Sequence, residues 1–133
     1  MMTVRTPRFL LIFATVLLIT GAALHVAAFN KALPIVDASG LPPFYSGSFK
    51  ALWLADSATL FVLAAILMVI TARLQMATRS LLILLALIPL ASAILLYAFL
   101  GNFFAGHLLF AIAALVVVAG VRLPRSAAAG AQR

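Results

Sequence analysis

The chain has no cysteine and no glutamate, and its only acidic residues are Asp37 and Asp56. Without cysteine there are no disulfides, thiolate metal sites, thiol nucleophiles or c-type haem attachment, and the redox compartment stays undetermined. Without glutamate, any carboxylate chemistry rests on two aspartates. Charged residues of all kinds are scarce, 8% of 133 positions, whereas 67% are hydrophobic and the mean hydropathy is +1.30. Soluble domains carry about 25% charged residues, so this balance describes an integral membrane protein. Signatures of nucleotide binding, zinc proteases and P-loops are absent, as is any N-glycosylation triplet.

What is present divides into four long apolar segments. The first spans residues 9–29, and others cover 51–70, 81–100 and 103–121. Each is close to the ~20 residues that cross a bilayer core at 1.5 Å rise per residue. A secretory signal peptide is the rival for the first segment, given Arg5 and Arg8 before it and the small residues up to Ala28. Its apolar run is longer than a usual signal core, which favours a retained span. Pro89 interrupts the third segment and should kink it, a defect that membrane helices tolerate when neighbours supply partners. Gly101 and Asn102 mark a tight turn between the last two spans. Residues 30–50, with Pro34, Gly40, Pro42, Pro43 and Gly47, are expected to form an outer loop. Its Leu41, Phe44 and Tyr45 should hold it to the membrane surface, with Asp37 a solvated turn residue.

The net charge of +7 follows the same division. Arg5, Arg8, Arg73, Arg79, Arg122, Arg125 and Arg133 fall on one side of a four-span plan, and only Lys31 and Lys50 on the other. By the positive-inside rule both termini are cytoplasmic, with residues 122–133 as a cytoplasmic tail. No basic run forms a face, so the charge is a topology signal and no nucleic-acid partner is expected. The expected fold is all-α: a single antiparallel four-helix transmembrane bundle forming one domain over residues 1–133. Its surroundings are the lipid bilayer, with assembly into a homo-oligomer or a larger membrane complex open. Alanine-, leucine- and arginine-rich usage fits a high-GC bacterium and hence an inner membrane. In size and span plan the chain resembles small bacterial membrane proteins such as the DoxX-like group, with no motif of that group matched to residues here.

Four polar side chains share one depth in this plan. His25 and His107 lie roughly 6 Å, and Asp56 roughly 8 Å, from the outer ends of their spans, with Tyr97 close by on the third. A carboxylate at that depth has to be protonated, paired or hydrogen-bonded. Facing adds to the argument. Ala14, Leu18, Gly21, His25 and Ala28 form one stripe, as do Trp53, Asp56, Thr59 and Leu63, and His107, Ala111 and Ala114. Small neighbours favour close helix approach and an inward direction. His25, Asp56 and His107 are therefore expected to converge, directly or through Tyr97.

Three uses of that cluster compete. In the first, Asp56 accepts hydrogen bonds and pins the helices together, making the protein a structural or accessory bundle. In the second, two imidazoles and a carboxylate bind iron or zinc, or the two histidines alone ligate a haem. In the third, His25, Asp56 and His107 perform acid–base or proton-relay work on a small lipophilic substrate, as an enzyme or transporter. The quieter residues have simpler readings: Phe99, Phe103 and Phe104 as an interfacial belt, Trp53 as an interfacial anchor, Asn30 and Asn102 as helix ends.

Overall fold

A computed structural model describes residues 5–123, and among them every regular element is helical. Helix α1 covers Arg5–Ala38, α2 Pro43–Ala72, α3 Arg79–Leu100 and α4 Phe104–Val121. All four are long and apolar enough to cross a membrane, as in a multi-pass membrane protein. Residues 124–133, most of the expected tail and including Arg125 and Arg133, lie outside the described residues.

Local chemistry sets the helix ends. Pro43 opens α2 at a position whose N–H has no intrahelical partner to lose. The Thr78 hydroxyl accepts from the Leu81 amide at 3.1 Å and caps α3. Gly101, at φ 67°, ends α3 in the left-handed region while its N–H bonds to the Tyr97 carbonyl. Pro89 lies buried inside α3, which runs on past it.

The expected outer loop is largely absent. Residues 30–38 continue α1 and residues 43–50 begin α2, so only 39–42 connect them. The prolines and glycines were poor breakers here for separate reasons. Pro34 costs α1 one backbone bond without ending it, Pro43 occupies a favourable first-turn site, and the turn needs only Gly40 at φ 69°. Asp37 consequently stands on α1, not in a turn, and accepts from the Lys50 ammonium of α2 at 2.6 Å. Leu41, Phe44 and Tyr45 are exposed at the tip of this helical hairpin.

The packing is uneven. Helix α1 packs against both α2 and α4, and α3 packs against α4. Helices α2 and α3, though consecutive, are joined at one end by a short connection with a 3₁₀ turn at Leu74–Met76 and do not pack along their lengths. The interfaces are built from single stripes. On α3, Leu82, Ala86, Pro89 and Ala93 are buried at spacings of four, three and four. On α4, Gly106, Ala113 and Gly120 recur every seventh residue among Leu109, Ile112 and Val116. A Cβ on Gly120 would meet the Leu82 Cβ at 3.1 Å, so glycine there sets how closely α3 and α4 approach. Buried Thr15 and Thr71 satisfy their hydroxyls on carbonyls one turn back, at 2.8 and 2.6 Å. The outer faces keep large apolar side chains such as Phe9, Val62, Leu84 and Phe110 exposed. An exterior of that kind suits lipid contact, since water-exposed apolar patches of such extent are rare.

Candidate functional site

The unpacked side of α2 and α3 leaves a cavity of about 640 Å³, away from their connection. All four helices line it: Gly21, Leu24, His25 and Ala28 from α1, and Trp53, Asp56 and Leu60 from α2. Opposite stand Ser92, Leu95, Leu96, Phe99 and Leu100 of α3, with Phe104, Ala105, Leu108 and Leu109 of α4 and Phe103 just before it. An apolar chamber with a few convergent polar groups is the usual form of a small-molecule site.

The polar groups arise where α1 meets α2. The α1 stripe that buries Ala14 and Leu18 carries His25 one turn beyond Gly21, where the interface starts to open. Trp53 of α2 stacks on the imidazole, with ring centroids 4.7 Å apart and planes 19° from parallel. Its indole N–H donates to the His25 carbonyl at 2.9 Å, locking the two helices in register. Ser57, buried at 3% exposure, has its Oγ 2.8 Å from His25 Nδ1. The serine proton goes to the Trp53 carbonyl at 3.1 Å, so Oγ accepts from an Nδ1–H of the histidine. That arrangement leaves Nε2 facing Asp56 Oδ2 at 3.7 Å, beyond hydrogen-bond reach. Both side chains reach the cavity, with 29% of His25 and 43% of Asp56 exposed.

His107 is elsewhere. The Tyr97 hydroxyl pairs with its Nδ1 at 2.8 Å, and its Nε2–H donates to Asn102 Oδ1. Gly106 makes this possible: a Cβ there would lie 2.9 Å from Tyr97 Cε1, so the phenol rests against bare backbone. Neither His107 nor Tyr97 lines the cavity.

The four sequence candidates thus form two pairs rather than one cluster. His25 and Asp56 come together, His107 and Tyr97 come together, and the two pairs stay apart. Among the described residues no three His, Cys, Asp or Glu side chains are grouped to hold a metal ion, so the ligand set of His25, Asp56 and His107 is not assembled. The helix facing explains why. The His107–Ala111–Ala114 stripe is exposed, because α4 turns its glycine-bearing face inward instead. Thr59 is likewise exposed, its hydroxyl bonded to the Ala55 carbonyl at 2.9 Å. Sequence reasoning missed Ser57 as the partner of His25 and Asn102 as the partner of His107. It also took Trp53 for an interfacial anchor only. A serine one residue after an intramembrane aspartate, at the depth of a histidine on the adjacent helix, was the available signal.

No family model, curated protein or solved structure matches this chain.

Proposed function

We propose that this protein binds a small lipophilic molecule in the cavity between α2 and α3, with His25 and Asp56 as the polar end of the site. The observation that carries the reading is the placement of an imidazole nitrogen and a carboxylate, 3.7 Å apart, in the wall of an otherwise apolar cavity of about 640 Å³. In the proposed setting the helices run up-down-up-down through a bacterial inner membrane with both termini cytoplasmic, in line with the arginine distribution. The site then lies in the outer leaflet, and the unpacked edge between α2 and α3 admits ligand sideways from lipid.

Trp53 is the only tryptophan and borders the cavity, so its fluorescence reports occupancy directly. Triphenylmethanol added to the protein in nanodiscs should change Trp53 emission saturably, at one molecule per chain. Ser92→Phe, which fills the opposite wall, should remove the saturable phase without lowering thermal stability. A wild-type response that rises linearly with probe, as simple partitioning into lipid would give, rejects the reading.

A structural role is the second reading, and one observation favours it for the other pair. The Tyr97–His107–Asn102 hydrogen bonds link α3, its connection and α4 outside the cavity, as pins between helices would.

A further inference from the structure

The charge content of the cavity narrows the ligand class. Among the described residues Asp56 is the only formally charged side chain that lines it, and no lysine or arginine does. An anionic ligand would meet a carboxylate with no fixed cation to offset it. Trp53, Phe99, Phe103 and Phe104 also line the cavity, and aromatic faces attract cations. The remaining polar partner is His25, whose Nδ1 is engaged by Ser57 while Nε2 faces Asp56 Oδ2 at 3.7 Å.

From these groups we infer that the site takes lipophilic cations in exchange for a proton, an inference that rests on the ligand-binding reading above. With the site empty, a proton on His25 Nε2 neutralises the Asp56 carboxylate. A hydrophobic cation entering from the bilayer takes its place against the carboxylate and the aromatic rings. The Nε2–H proton then leaves to water, and the site holds the same net charge before and after. No bond other than N–H breaks, and no oxidant or co-reactant is needed. Other titratable groups stand aside from this exchange. On α3 and α4 none lines the cavity, since His107 and Tyr97 bond to each other and Asn102. On α1 and α2, Lys50 is held by Asp37.

Three probes of similar bulk separate the possibilities: tetraphenylphosphonium as cation, tetraphenylborate as anion and triphenylmethanol as neutral reference. Each is titrated into the full chain in nanodiscs of neutral lipid, following Trp53 emission, with proton release read by an indicator dye in weak buffer. The phosphonium is expected to bind and release one proton per chain, with affinity rising about tenfold per pH unit while the pair is protonated. The borate should not bind. Asp56→Asn should lose the phosphonium while its thermal unfolding in the same nanodiscs stays close to that of wild type, which shows that the variant is folded. In His25→Gln, whatever affinity for the phosphonium results, binding should release no proton and should no longer depend on pH. Triphenylmethanol binding without phosphonium binding overturns the inference and leaves the lipophilic site intact. Phosphonium binding without proton release, or unchanged release in His25→Gln, also overturns it. Failure of all three probes rejects the site itself.

Discussion

The Ser57 hydroxyl joins His25 Nδ1, at 2.8 Å across the α1–α2 interface, to the Trp53 carbonyl, to which it donates at 3.1 Å. This small relay fixes which ring nitrogen points at Asp56, and so which atom of the histidine can do chemistry. Replacing Ser57 with alanine leaves the imidazole N–H unpartnered where little water reaches. Ser57→Ala should destabilise the protein by about 1–3 kcal/mol, whereas Ser57→Thr retains the hydroxyl and should recover most of the loss. Thermal unfolding of the three proteins in one detergent checks this.

Asp56 should behave in the opposite way. Its carboxylate is 43% exposed and its recorded partner, the His25 ring, is 3.7 Å away. Both Asp56→Asn and Asp56→Leu should therefore shift stability by less than about 1 kcal/mol, as weak polar contacts within membranes do. The sequence alone pointed to a larger penalty for leucine, because it suggested a carboxylate surrounded by donors. Equal melting temperatures for the two variants would support a ligand-facing Asp56. A much less stable Asp56→Leu would show a structural acceptor instead.

The phenol of Tyr97 depends on the absence of a side chain at position 106. Gly106→Ala would place a methyl 2.9 Å from the ring, forcing Tyr97 away and costing about 1–3 kcal/mol in strain and lost contact. Tyr97→Phe removes only the bond to His107 and should cost about 0.5–1.5 kcal/mol. Because both changes break the same bond, the double variant should lose less than the sum of the two. Additive losses in a thermal-stability cycle would show that Gly106 and Tyr97 act independently.

The four helices were legible in the sequence because twenty-residue apolar runs have few alternative readings. Their ends were less so. Pro34 and Pro43 look like breakers in the sequence, yet a proline is compatible with a helix near its first turn, and a single lost backbone bond does not end a 34-residue helix. The pairing of His25 with Asp56 followed from shared depth. The outward turn of His107 was not legible, since Ala111 and Ala114 look as suited to an interface as Gly106, Ala113 and Gly120. Which small-residue face wins depends on the shape of the partner helix, here Leu82 against Gly120 and Tyr97 against Gly106. The cavity itself follows from an absence of packing between α2 and α3, and no residue pattern within either helix announces that.

Orientation is open to a direct check. Ser46 lies near the tip of the α1–α2 hairpin, and a cysteine there should react from outside intact cells with a membrane-impermeant maleimide. A cysteine appended to the C-terminus should react only after permeabilisation. Labelling of the C-terminal site in intact cells would invert the proposed topology.

The central claim is that a lipophilic molecule occupies the space between α2 and α3, and the cysteine-free chain allows this to be measured at single positions. Ser92→Cys places a thiol in the cavity wall, and Ala111→Cys places one on the exposed face of α4. Both should react with N-phenylmaleimide in nanodiscs. Triphenylmethanol should slow the reaction at position 92 saturably and leave position 111 unchanged. Equal rates with and without the probe at both positions would contradict the account.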